Sequence, residues 1–159
     1  MSSQPAIIKY YSGWETYQSH LVQAIAPLTS DQLKLKSAPH MWSVMTLAAH
    51  IIAARVYWFH TIMGEGPESL KPLQDWDEEG EPSHNAAELV EGLIRTWTLV
   101  DDCLNRWTDS DLDQTFQRSG RDESFTRQWI IWHLLEHDLH HGGELSFLLG
   151  THHVPALDL

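Results

Sequence analysis

The chain has a single cysteine, Cys103, in 159 residues. One thiol allows no internal disulfide, so stability must come from a buried core, and this usage suits a reducing cytoplasm. Cys103 itself reads as a small buried hydrophobe. Basic residues are also scarce. Ten Lys and Arg stand against 22 Asp and Glu, a formal charge of −12. Phosphate backbones and anionic lipid surfaces repel such a chain. No local basic patch offsets that charge, so neither nucleic acid nor membrane is an expected partner. No apolar run approaches the ~20 residues of a membrane span. The start, MSSQPAIIKYY, lacks a basic n-region and a long apolar h-region, so no signal peptide is expected and the predicted location is cytoplasmic. Internal repeats, low-complexity tracts, linkers and convincing alternating strands are absent as well. What remains is one globular domain over residues 1–159.

Apolar periodicity predicts four long helices. The first runs from about Pro5, a residue suited to a first turn, to Ala26 before Pro27. Ser30-Asp31 looks like the cap of a short turn through Leu35. The second helix starts at Trp42-Ser43, with Ser43 as N-cap, and ends at Met63 before Gly64 and Gly66-Pro67. Its sequence, VMTLAAHIIAARVYWFHTIM, is apolar around most of its circumference and is therefore buried on several sides. Residues 65–83 hold three prolines and five acids between Asp75 and Glu81. They read as an exposed crossover loop with a solvated charge run. The third helix spans Asn85 or Ala86 to Trp107, with Ser83 and Asn85 both possible caps. A second irregular stretch, TDSDLDQTFQRSGRDES, leads to a fourth helix from about Thr126 to Leu149, closed by Gly150. The tail THHVPALDL has no assignable pattern. The fold class is all-α, a four-helix bundle with a long crossover between its second and third helices.

Two residue types are in excess, with 11 histidines and 8 tryptophans. Four histidines fall at 133, 137, 140 and 141. At about 100° per residue, positions 133, 137 and 141 advance by only ~40° per step and form one stripe. His140 and Glu144 share that arc. An i, i+4 histidine pair can reach one divalent ion, and both 137/141 and 133/137 qualify. A further ligand must come from another helix, and His50, amid Leu47, Ala48, Ala49, Ile51 and Ile52, is the best donor. A core histidine satisfied by a hydrogen bond is the ordinary alternative for His50. His140 could support the site or face a partner helix. His20, His40, His60 and His84 read as surface residues, and His152-His153 as a solvated tail. The run His137-Asp-Leu-His140-His141 also fits H-D-x-x-H, one methylene short of a peptidase motif, with Asp138 as general base. The short side chain and the missing strand-rich domain disfavour that reading. Trp58, Trp97, Trp129 and Trp132 read mainly as core, with Trp129 the best placed to line a pocket.

These segments resemble the DinB-like (damage-inducible) superfamily of metal-binding four-helix bundles. Trp42-Ser43 with His50 is similar to that family's W-S-x-x-x-x-x-x-H segment. The run from His133 through His137, His140 and His141 to Glu144 resembles its last-helix motif, and Phe125 to Trp132 resembles one branch. The resemblance implies a metal triad of His50, His137 and His141 with a divalent ion, commonly zinc or nickel. It implies a homodimer and, in some relatives, transfer chemistry using a low-molecular-weight thiol; others are isomerases. Many relatives carry Arg where this chain has Gly142. An open three-histidine ion suits a metal-dependent transferase or hydrolase-like enzyme acting on a small molecule. Glu144 and Asp138 are the nearest acids, each able to orient a histidine, and neither is assigned a catalytic role. The alternative is a non-catalytic metal-binding regulator or a dimeric scaffold.

Overall fold

A computed structural model describes residues 6–159; Pro5, the expected helix start, lies outside them. The expected helix from Pro5 to Ala26 is shorter in the structure: a 3-10 turn, Ile7–Tyr10, is followed by a break at Tyr11, and α1 spans only Ser12–Ile25. The Ile7 amide donates to the Trp107 carbonyl at 3.1 Å, which ties this end of the chain to the end of the third long helix. A short helix, α2, Ser30–Leu33, is capped by Thr29 and not by Ser30-Asp31. Thr29 and Gln32 form a reciprocal capping box that satisfies two exposed amides.

Helix α3, Val44–Arg55, begins where Ser43 accepts the Thr46 amide at 3.1 Å. Its last stretch departs from the expected α-helix. Val56–Ile62 is π-helical, and its wider turns send consecutive aromatics to different neighbours. Trp58 meets Phe125 and Trp129, while Phe59 meets Trp107. The helix stops at Gly64, whose φ of +74° suits a residue without a side chain.

Helix α4, Ala86–Arg106, takes Asn85 and not Ser83 as its cap, in a box with Glu88. Helix α5, Arg127–Thr151, starts on the Thr126 hydroxyl. Gly150 lies inside it; the left-handed residue beyond its end is His153, at φ 59°.

The four long helices close a ring. Helix α1 packs on α4, α4 on α3, α3 on α5, and α5 touches α1 again. Helix α3 buries residues around most of its circumference, among them Leu47, Ala49, Ile52 and Ala53, and leaves the side of Thr46, His50 and Ala54 partly exposed. Cys103 is buried, and burial, then Glu65, pushes its thiol up to about 12, so it is inert packing. Among the described residues no helix is long and apolar enough to cross a membrane.

Three further local expectations change. The crossover is not simply solvated: Glu68–Asp75 forms a 3-10 helix that buries Leu70 and Leu73. Trp76 stacks on His84 at 3.9 Å between ring centroids, so His84 packs on the protein and is not a free surface group. The second irregular stretch holds a hairpin, in which β1, Thr115–Gln117, pairs antiparallel with β2, Ser124–Thr126, placing Phe116 opposite Phe125. Strands of three residues are too short to show alternation, which explains their absence from the sequence pattern.

Candidate metal centre

The core-facing side of α5 decides where its histidines point. Asp138 is fully buried, and its Oδ2 accepts from Trp14 Nε1 at 2.8 Å, Arg55 Nη2 at 2.7 Å and Arg55 Nε at 3.0 Å. One turn on, Gly142 lies against Tyr17. A Cβ at Gly142 would come within 2.2 Å of the Tyr17 hydroxyl oxygen, so only glycine permits this approach. Tyr17 donates to the Leu139 carbonyl at 3.3 Å. These contacts fix the rotation of α5 and leave His133, His137 and His141 on the side facing α3. They also remove Asp138 from the peptidase reading. A carboxylate closed into the core by Arg55 and Trp14 cannot serve as a general base beside the histidines, nor does it orient one.

His50 on α3 meets two of those histidines. Its ring centroid lies 4.7 Å from that of His137 and 4.6 Å from that of His141, and the latter two are 4.4 Å apart. The ligand atoms of His50, His137 and His141 all lie within 4.8 Å of one another, so the three could hold a metal ion. His50 Nδ1 donates to Asp77 at 2.5 Å, and His141 Nδ1 donates to Glu144 at 2.7 Å. Each bond places the ring proton on Nδ1 and leaves a lone pair on Nε2. His50 Nε2 and His137 Nε2 are 3.0 Å apart. Two ligands at ~2.0–2.1 Å from one zinc-like ion, at roughly 90–109°, lie about 2.9–3.4 Å apart. The residues therefore fit a divalent ion.

Protonation supports the same fit. Burial, followed by His141, His50, His133 and His140, pushes His137 down to about 3. Burial also lowers His141, although its bond to Glu144 works in the opposite direction. His133 is lowered by burial, with Glu136 opposing and Arg118 adding to the effect. His137 is thus neutral at neutral pH and has no proton to release before binding a cation.

The other histidines stay outside. His133 stacks on Trp129 at 4.8 Å and stands 6.2 Å from His137. His140 is exposed and lies 3.8 Å from Glu144. His60 is half-buried between the Glu65 carbonyl and Glu68, not a plain surface residue. Trp129 packs on His133 and Trp58 and lines neither cavity beside the triad, and both Trp129 and Trp132 are exposed and not core. Asp77 was not visible beforehand, since it sits 27 positions from His50 inside the acidic run read as solvated. Trp42, 4.7 Å from His50, borders the site as well.

Two cavities flank the histidines. One, of about 490 Å³, is walled by Met41, Trp42, Leu47 and Phe147 and reaches His141. The other, of about 450 Å³, lies over His50 and His137 and is walled by Tyr57, Trp58, Gln74 and Arg118.

The sequence model of the DinB superfamily matches residues 14–145, a span that contains all three histidines. The chain belongs to the DinB superfamily. Solved structures with this DinB fold include a DinB-like protein from Bacillus cereus, 19% identical over 99% of both chains with a TM-score of 0.76. A DinB-like protein from Bacillus subtilis is 17% identical, with 90% of this chain and 91% of that chain covered and a TM-score of 0.64. A conserved protein from Enterococcus faecalis is 15% identical, with 93% and 99% covered and a TM-score of 0.69. No curated protein matches this DinB-superfamily chain.

Proposed function

We propose that this DinB-superfamily protein binds one divalent metal ion, zinc or nickel, through His50, His137 and His141, and acts as a metal-dependent enzyme on a small molecule. The observation that carries this reading is the convergence of three imidazoles from two helices, two of them with Nδ1 held by carboxylates. A triad of this kind leaves coordination positions open. When bound, the ion supplies Lewis acidity to a thiol or a water. The chain's own groups do the rest. Asp77 and Glu144 hold two rings in one tautomer, the two open cavities give a small molecule access to them, and Trp42 covers one edge of the site. The reaction class we favour is transfer to or from a low-molecular-weight thiol, or a hydrolase-like step. Homodimer formation belongs to the same proposal and is supported by Trp132, Leu139 and Phe147, which lie exposed along one stripe of α5.

Elemental analysis of tag-free protein tests the metal. About one ion per chain is expected for the wild type and a residue below ~0.1 for His137→Ala; a wild type at that lower level overturns the proposal. A screen of thiols with electrophiles tests the chemistry, and turnover should vanish together with the metal in His137→Ala. A loaded protein that turns over nothing in that screen would instead be a metal-binding regulator or scaffold. Sedimentation velocity reads the assembly.

A further inference from the structure

The cavity over His50 and His137 contains one cation, and the way it is held is unusual for so acidic a chain. Arg118 follows β1 in the hairpin. Its Nε donates to the Tyr57 hydroxyl at 2.8 Å. Its guanidinium lies 5.3 Å from the Tyr57 ring and 5.4 Å from the Trp58 ring, within cation–π range of both. The two aromatics are neighbours in the π-helical stretch Val56–Ile62, and Trp58 is packed in turn by His133 at 5.1 Å. Acidic residues outnumber basic ones by 22 to 10, yet among the described residues no carboxylate lies within ion-pair distance of Arg118. Arginine has five N–H donors in a planar fork. One is used on Tyr57, and the rest of the fork has no partner among the described residues.

A half-buried guanidinium with free donors, held in place by the Tyr57 and Trp58 rings, is placed to receive a planar anion. The acids nearby select which anion. Asp77 is engaged by His50, and Glu78 stands exposed on the cavity rim. Both repel a dianion more than a monoanion. The volume of about 450 Å³ suits a metabolite-sized molecule.

We propose that Arg118 is a specificity-determining residue that binds the carboxylate of a small organic acid, whose other end lies against His50 and His137. The carboxylate site stands on its own geometry; only the placement of the far end rests on the metal reading. Arg118 acts by binding and orienting, and no bond is made or broken at it.

The test uses full-length protein and NMR shifts of the Trp58 indole N–H and the Arg118 Nε–H. Propionate is compared with propanamide on metal-free protein, and 3-mercaptopropionate with 3-mercaptopropanamide on zinc-loaded protein. The acid should bind at least about tenfold more tightly than its amide in both arms. In Arg118→Gln this preference should fall to within about twofold, with metal stoichiometry unchanged, and Arg118→Lys should keep an intermediate preference. Equal binding of acid and amide by the wild type overturns the proposal, and so does an undiminished preference in Arg118→Gln. Inorganic phosphate binding as tightly as propionate overturns the carboxylate assignment. Should Arg118→Gln unfold, the wild-type acid-to-amide ratio and Arg118→Lys decide. If the protein takes no zinc, the metal reading fails and the propionate arm still decides the role of Arg118.

Discussion

Helix α5 carries two polar faces that differ by one residue in sequence. On one, Asp138 is closed against Arg55 and Trp14 with no access to water. On the other, His137 faces His50 and His141 beneath two open cavities. Both clusters are polar and partly dry, and both link α5 to α3. Each leaves one buried atom without a partner among the described residues, Asp138 Oδ1 and His137 Nδ1, and they differ in how the rest is held. The first gathers three donors on one carboxylate oxygen. The second turns imidazole nitrogens toward one another, with the His137 Nε2–H donating to His50 Nε2 at 3.0 Å. A closed cluster with opposite charges paired holds helices together. An open cluster of converging neutral imidazoles is arranged to receive something. Burial of a polar residue therefore says little about its role until its charge pairing and its solvent access are known.

The comparison breaks most visibly at Asp138. Asp138→Ala leaves Arg55 charged and unpaired in the core, which is expected to cost about 3–5 kcal/mol. Urea denaturation reads this directly. The double variant Arg55→Met, Asp138→Leu should recover most of the loss, because a paired buried charge is roughly interchangeable with good apolar packing. If Asp138→Ala were near neutral in stability but lost metal, the two faces would not be separable in the way described.

The open face is expected to respond to pH. The His137 imidazole is held down to about 3 by burial and its histidine neighbours, against ~6.5 in an unfolded chain. Between those values the unfolded state binds a proton that the folded state refuses. Metal-free protein therefore has this contribution in full above pH ~6.5 and loses it progressively as pH falls toward ~3. The lowered His141 and His133 act in the same direction. Urea midpoints across that window should slope less steeply in His137→Gln.

A smaller effect is expected one shell out. Asp77→Asn keeps the side-chain shape but weakens the bond that fixes His50, and metal affinity should fall about 10–100-fold. Competition with a chromophoric chelator measures it. Stability of the metal-free chain should change little, in contrast to Asp138→Ala.

Paired glycines give the finest contrast. Gly142→Ala drives a methyl into Tyr17 and should cost about 1–3 kcal/mol, with partial rescue by Tyr17→Leu. Gly143 has nothing within 4 Å of its hypothetical Cβ. Gly143→Ala should therefore stabilise by about 0.5–1 kcal/mol through helix propensity. Thermal melts of the two variants should move in opposite directions.

The long helices and the Ser43 cap were legible because they depend on local rules, while Thr29 was missed and Asn85 was one of two choices. Ser43, Asn85 and Thr126 each accept an amide from three residues ahead, and apolar residues recur at helical spacing. The stripe of His133, His137 and His141 was legible for the same reason. The π-helical end of α3 and the short hairpin were not, since neither has a periodic signature over so few residues. Asp77 and Arg118 were hidden more deeply. Each sits in an irregular segment, and each acquires its role from a contact across the chain, with His50 in one case and Tyr57 in the other.

By itself, then, the sequence determined an all-α bundle, an acidic and disulfide-free chain, and a histidine-bearing face on the last helix. Helical phase is a property of neighbours in the chain, so these followed from spacing alone. Only the tertiary structure decided that His50 joins His137 and His141 while His133 turns to Trp129 and Asp138 turns to Arg55. The rotation of α5 about its axis makes that choice, and it is set by the Tyr17–Gly142 contact and the buried ion pair, which no local pattern encodes.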